Sequence, residues 1–149
     1  MSVTTGTTTQ IYQVFIKASP EQIWAAITKP EYTARYFYGA RIENTPDQHL
    51  SRGPDGSIWA DEKVAEFDPP RRLVHEWRSL YDPELAREPA SRVTWEIEPR
   101  DGGYCLLTLT HDQLDGSPKT AASVSGQGWM FVLSGLKTLL ETGSALGAN

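Results

Sequence analysis

Gly126-Gln-Gly-Trp129-Met-Phe-Val-Leu-Ser-Gly-Leu-Lys-Thr-Leu-Leu-Glu-Thr-Gly143 is the stretch on which the fold turns. Trp129, Val132, Leu133, Leu136, Leu139 and Leu140 recur in it at i, i+3, i+4, i+7, i+10 and i+11. That spacing is one apolar stripe on a helix of 3.6 residues per turn. Ser134, Lys137, Thr138 and Glu141 take the opposite face. Gly143 stands where a left-handed cap ends such a helix, because glycine has no Cβ to clash there. A helix this apolar along one side needs a concave surface to lie in, and the residues before it must supply one.

Those residues read as strands with two short helices among them. Gln10 to Ala18 predicts a strand with Tyr12, Val14 and Ile16 on one face and Ile11 and Phe15 on the other. Apolar side chains on both faces suggest cover from both sides, or an interface. Ser19-Pro20-Glu21-Gln22 is a capping box with proline at the first helical position, and Ile23, Trp24 and Ile27 form that helix's buried side. Lys29-Pro30 ends it, and Glu31 to Tyr36 forms a second short helix stopped at Gly39.

Strand patterns follow. Ala40 to Asn44 is a short strand, Pro46 to Gly56 a polar loop, and Ser57 to Ala60 pairs with Lys63 to Asp68 around a turn at Asp61-Glu62. Asp68-Pro69-Pro70-Arg71 is a turn, since proline cannot extend a ladder. Arg72 to Leu80 and Ser91 to Pro99 are longer strands flanking Tyr81 to Ala90, a loop long enough to be a mobile flap. A hairpin turn at Arg100-Asp101-Gly102-Gly103 leads into the last strand, Tyr104 to Asp112. Ser117-Pro118 is a further helix-start signal on the way to the terminal helix.

A meander of strands that must cover one long helix curls around it. The expected fold is therefore α+β of the helix-grip kind: a curved antiparallel sheet wrapped around the long C-terminal helix, with two short helices after the first strand. Residues 1–9 are expected to be a disordered lead-in, 10–143 a single domain and 144–149 a tail.

The bulk numbers exclude several classes of function. A chain of 149 residues is long enough for one well-buried core. No apolar run approaches the ~20 residues that a membrane span requires. The Thr-rich start has neither the basic nor the apolar region of a signal peptide, so a cytoplasmic location is expected by default. Cys105, the sole cysteine, sits in a strand pattern as a small filler. A net charge of −5 with no Lys/Arg cluster argues against nucleic acid as a partner.

Alternation along the strands assigns the candidate site. Leu73, His75 and Trp77 share one side of their strand, as do Val93, Trp95 and Ile97, and Leu107, Leu109 and His111. Glu76, Arg78, Glu96 and Glu98 fall on the wet face. Candidate pocket walls are thus Trp59, His75, Trp77, Trp95, His111 and Trp129, with Leu133 from the helix stripe and Phe37. The same pattern also fits a filled core with two hydrogen-bonded histidines, and Tyr36-Phe37-Tyr38 fits either a lip of the pocket or a seam. His49, His75 and His111 lack metal-ligand spacing, Asp61-Glu62 reads as a solvated pair, and no residue is assigned a catalytic role. No cofactor or metal is expected.

Four segments together resemble a known family: Ile16-Lys-Ala-Ser-Pro-Glu-Gln-Ile-Trp24-Ala-Ala-Ile, Phe67-Asp-Pro-Pro-Arg-Arg-Leu-Val-His-Glu-Trp77, Leu107-Thr-Leu-Thr-His111, and Gly128-Trp129 through Thr142. In that order they are similar to bacterial proteins related to the activator of the ninety-kilodalton heat-shock-protein ATPase. These belong to the START-like, birch-pollen-allergen-like and polyketide-cyclase superfamily. The resemblance implies a helix-grip domain with a hydrophobic cavity under the long helix. The expected function is binding of a hydrophobic, lipid-like or aromatic small molecule by a carrier or sensor. Two alternatives stand beside it. One is a cyclase- or hydrolase-type enzyme in which His75 or His111 moves protons. The other is a homodimeric or co-chaperone-like interaction protein presenting Met130 and Phe131.

Overall fold

A computed structural model describes residues 9–125 and 127–147. Residues 1–8 of the expected lead-in, Gly126 and the last two residues of the tail lie outside the described residues. The chain runs β1 (Gln10–Ile16), α1 (Pro20–Thr28), α2 (Pro30–Thr33), β2 (Arg41–Asn44), β3 (Gln48–Arg52), β4 (Ile58–Asp68) and β5 (Arg72–Trp77). It continues through α3 (Pro83–Ala86), β6 (Ser91–Arg100), β7 (Tyr104–Asp112), α4 (Pro118–Val124) and α5 (Gln127–Thr142). The seven strands form one antiparallel sheet in the order β1-β7-β6-β5-β4-β3-β2. It curls around α5 as a half-barrel, the helix-grip arrangement.

Local chemistry sets the first turn away from the sheet. Ser19 Oγ accepts from the Gln22 backbone N–H at 3.1 Å, and Gln22 Oε1 accepts from the Ser19 N–H at 2.9 Å, a complete capping box for α1. On α5 the stripe is buried as its spacing requires: Trp129, Val132, Leu133, Leu136 and Leu139 face inward, Leu140 is half-buried, and Ser134 and Glu141 are exposed. Gly143 has φ +81° and its N–H donates to Leu139 O at 2.8 Å, closing the helix. Gly135 lets the helix settle close to α2's exit, since a Cβ there would lie 3.1 Å from the Tyr36 Cβ.

The structure corrects the strand reading in four places. First, the expected polar loop at 46–56 contains β3, whose His49 and Ser51 point inward and are buried. Second, Asp61-Glu62 is no turn: both residues lie in the middle of β4, opposite Leu50 and His49 of β3. Asp61 accepts from Gln48 Nε2 at 2.7 Å, whereas Glu62 is half-buried, its carboxyl raised by desolvation and pulled back by Arg78. Third, β5 stops at Trp77, so alternation no longer governs Arg78.

The fourth concerns the expected flap. It holds α3 and is tied down. The Glu88 carboxylate accepts from the Lys119 N–H, the Thr120 N–H and the Thr120 hydroxyl at 2.9, 2.7 and 2.7 Å. Glu88 therefore caps α4 in place of Ser117, whose hydroxyl donates to Pro89 O at 2.8 Å. β1 is an edge strand, and its outer residues Ile11 and Phe15 are exposed, with Tyr104 edge-on to the Phe15 ring and the Arg100 guanidinium 5.9 Å from its centroid.

Candidate functional site: a cavity beneath the first turns of α5

The space between α5 and the sheet is not uniform. Toward the C-terminal end of the helix, Leu133, Leu136 and Leu139 join Ile16, Val93, Ile97, Leu107 and Leu109 in one buried cluster. Under the first turns a cavity of about 340 Å³ remains, with largely apolar walls. Gly128, Trp129 and Val132 of α5 form its roof, Phe37 and Ala40 come from the segment between α2 and β2, and Ile42 from β2. His49 and Ser51 of β3, Trp59 and Ala60 of β4, Trp77 to Ser79 at the end of β5, and Ser123 and Val124 of α4 add further walls, with Tyr38 and Tyr81 also on the lining. A size of this order and apolar walls with few polar groups are what small-molecule sites have.

Of the eight side chains expected at the pocket, Phe37, Trp59, Trp77 and Trp129 line the cavity. Trp95, His75, His111 and Leu133 do not; all four are buried in the packing behind it. Trp129 touches both groups: its ring lies 5.7 Å from Phe37 and 5.2 Å from Trp77, and 5.8 Å from Trp95 and 5.9 Å from His111. Alternation gives the face a residue points to, but not how deep under the helix it sits. Phe37 is thus both lip and seam, since it also packs against Tyr36 at 6.0 Å.

The indoles fix the histidine tautomers, because an indole N–H can only donate. Trp95 Nε1 donates to His75 Nε2 at 3.2 Å, so the His75 proton is on Nδ1 and donates to Glu76 O at 2.9 Å. Trp129 Nε1 donates to His111 Nδ1 at 3.1 Å, so His111 Nε2–H donates to Ser91 Oγ at 2.7 Å. Both rings have both nitrogens engaged in the core. Neither histidine lines the cavity, and each ring nitrogen has a partner within the chain.

His49 differs. Asn44 Nδ2 donates to Ile27 O at 2.8 Å, which turns Asn44 Oδ1 toward His49 to accept from Nδ1–H at 2.7 Å. Nε2 is left as a bare acceptor with no partner. The ring stacks on His75 at 3.9 Å and 7°. Burial lowers the pKa of His49 well below the ordinary histidine value, and the neighbouring His75 adds to this. Burial likewise takes His75 to about 4, against the Glu76 carbonyl that raises it. It takes His111 to about 3, with His75 lowering and Asp112 raising it.

Three buried side-chain nitrogens lack partners among the described residues: His49 Nε2, Trp77 Nε1 and Arg78 Nε. All three belong to residues that line the cavity. Two of these residues, His49 and Arg78, were not legible as site residues, one assigned to a loop and the other to the wet face. A usable signal was present beside Trp59. A Cβ on Gly53 would fall 2.4 Å from that indole, so the glycine is what lets Trp59 lie flat on the backbone there. A bulge opposite Ser51 and Arg52 leaves Trp59 outside the ladder pairing, which is why alternation does not place it. Among the described residues no cluster of three or more His, Cys, Asp or Glu side chains is arranged to hold a metal ion, and no helix is long and apolar enough to cross a membrane.

Comparison with known proteins bears on this geometry. The family profile described as Activator of Hsp90 ATPase homolog 1-like protein matches residues 17–141. Among solved structures, protein MLL2253 from Mesorhizobium loti superposes with a TM-score of 0.71 at 20% identity, covering 89% of this chain and 96% of its own. PFC0360w of Plasmodium falciparum, described as an HSP90 activator, gives 0.71 at 20% identity over 90% of this chain and 96% of its own. The Aha1 dimer from Colwellia psychrerythraea gives 0.68 at 20% identity over 91% and 97%. At such identities these likenesses show the fold alone. No curated protein sequence matches the chain significantly.

Proposed function

The chain belongs to the Activator of Hsp90 ATPase homolog 1-like family, and from that premise we propose that it is a cytoplasmic carrier or sensor of a hydrophobic, aromatic small molecule. The observation that carries this reading is the contrast within one helix-sheet interface. The rear is packed with aliphatic side chains, while the front holds a cavity of about 340 Å³ walled by Phe37, Trp59, Trp77 and Trp129. Protein interiors are close-packed, so a void of this size stands out, and its aromatic walls suit stacking of a flat apolar molecule. Self-association is a second reading, supported by the exposed Tyr38–Phe131 stack at 5.2 Å and by exposed Met130 beside it. A native mass spectrum of protein purified from its own host tests both. The expected result is a small-molecule mass that leaves on denaturation; the spectrum also reads the oligomer. Ligand-free protein whose tryptophan emission ignores a panel of flat aromatics would overturn the carrier reading.

A further inference from the structure

The unpartnered nitrogens of the cavity set requirements on its occupant. His49 Nε2 must accept, because Asn44 holds the proton on Nδ1 and burial keeps the ring neutral. Trp77 Nε1 must donate. The two rings are 6.1 Å apart between centroids, within the span of one small molecule. Arg78, the only charged residue on the lining among the described residues, adds a second unpartnered donor at Nε. Ser51, Ser79, Ser123 and Tyr81 carry hydroxyls that rotate to either role and so discriminate nothing.

Native proteins rarely leave buried polar atoms without partners, and the few that remain mark a place for a water or a ligand. A water that reaches both donates to His49 Nε2 and accepts from Trp77 Nε1–H. A ligand that displaces it keeps the affinity only if it reproduces both bonds. An ether or ketone accepts from Trp77 but has nothing to give His49. A carboxylate has no proton to donate and turns its charge toward the bare lone pair of His49. A hydroxyl does both.

Building on the carrier reading above, we propose that the cavity takes a hydroxylated aromatic, a phenol or aromatic alcohol. Its O–H donates to His49 Nε2 and its oxygen, or one next to it, accepts from Trp77 Nε1–H.

The test is a titration of the full chain, stripped of any ligand, with naphthalene, 2-methoxynaphthalene, 2-naphthol and 2-naphthoate. The expected result is 2-naphthol binding at least about tenfold tighter than either neutral analogue, as sites built to hydrogen-bond a hydroxyl reject analogues that lack it. His49→Phe keeps a ring against His75 and should bring 2-naphthol and 2-methoxynaphthalene to within about twofold of each other, because the acceptor that distinguishes them is gone. Should that variant not fold, the wild-type series decides alone. Equal binding of the three neutral compounds overturns the hydroxyl requirement and leaves the carrier reading standing. Tightest binding by 2-naphthoate overturns it in favour of an anion held by Arg78. Binding by none of the four overturns both.

Discussion

Farther along α5, Leu133, Leu136 and Leu139 are buried in one cluster with Ile16, Val93, Ile97, Leu107 and Leu109. Under its first turns the same sheet presents His49, Ser51, Trp59 and Trp77, and space remains. The two regions share a helix, a sheet and a hydrophobic character. They differ in how their polar atoms are satisfied. Behind Trp129, each indole N–H has a histidine nitrogen to donate to. In front of it, the Trp77 N–H and His49 Nε2 have none. Whether a helix-grip interior is core or pocket is thus set less by which face a residue occupies than by whether its polar atoms are matched within the chain.

The largest expected effect concerns the three histidines, one on the cavity and two behind it. Each is neutral in the folded protein with its pKa pushed below the ordinary 6.5. The unfolded chain binds more protons below 6.5, so the stability they contribute is fully present above that pH. It is lost as pH falls toward about 4 for His75 and about 3 for His111. At pH 5 the loss is roughly 2 kcal/mol each for His75 and His111, and His49 acts in the same direction. Glu62, held above the usual carboxyl range by burial, offsets a little of this at the acid end. Urea midpoints at pH 7.5, 6 and 5 should fall steeply. A flat profile would mean the rings are not held neutral, in either region.

Next is the packing itself. Leu136 is fully buried in the filled region, and Leu136→Ala should cost about 2–5 kcal/mol, a transfer term plus a new cavity. Val132 is as deeply buried but borders space that already exists. Val132→Ala should cost no more than about 1.5 kcal/mol, the transfer term alone. Chemical denaturation of the two variants measures the difference. Equal losses would show that the front region is packed in solution as tightly as the rear.

These regions were not equally legible in the sequence. The filled one announces itself because the stripe on α5 and the Val93–Ile97 and Leu107–Leu109 alternations are apolar, and hydrophobic periodicity is the signal a sequence displays best. The front of the cavity is built where that signal fails. β3 turns His49 and Ser51 inward and leaves Gln48 and Arg52 exposed, so neither of its faces reads as apolar. Trp59 sits at a bulge, and Arg78 follows a strand that ends one residue earlier. A pocket needs polar atoms facing in, and polar atoms facing in are what make its strands look like loops.

The finest test substitutes the same residue in both regions. Trp95→Phe and Trp77→Phe each remove one indole N–H and similar ring area. At Trp95 the change leaves His75 Nε2 buried without a donor. A buried acceptor deprived of its partner costs about 1–3 kcal/mol. At Trp77 no bond inside the protein is lost, because the N–H has no partner there. Trp95→Phe should therefore destabilise the ligand-free protein by about 1–3 kcal/mol more than Trp77→Phe, read as the difference in denaturation free energy at pH 7.5. Both variants should keep the native circular dichroism spectrum, so that the comparison is between folded proteins. If the two losses were equal, the Trp77 N–H would have to be satisfied in solution. The cavity would then hold a bound water worth as much as a histidine, and the front and rear of the interface would differ in shape but not in polar matching.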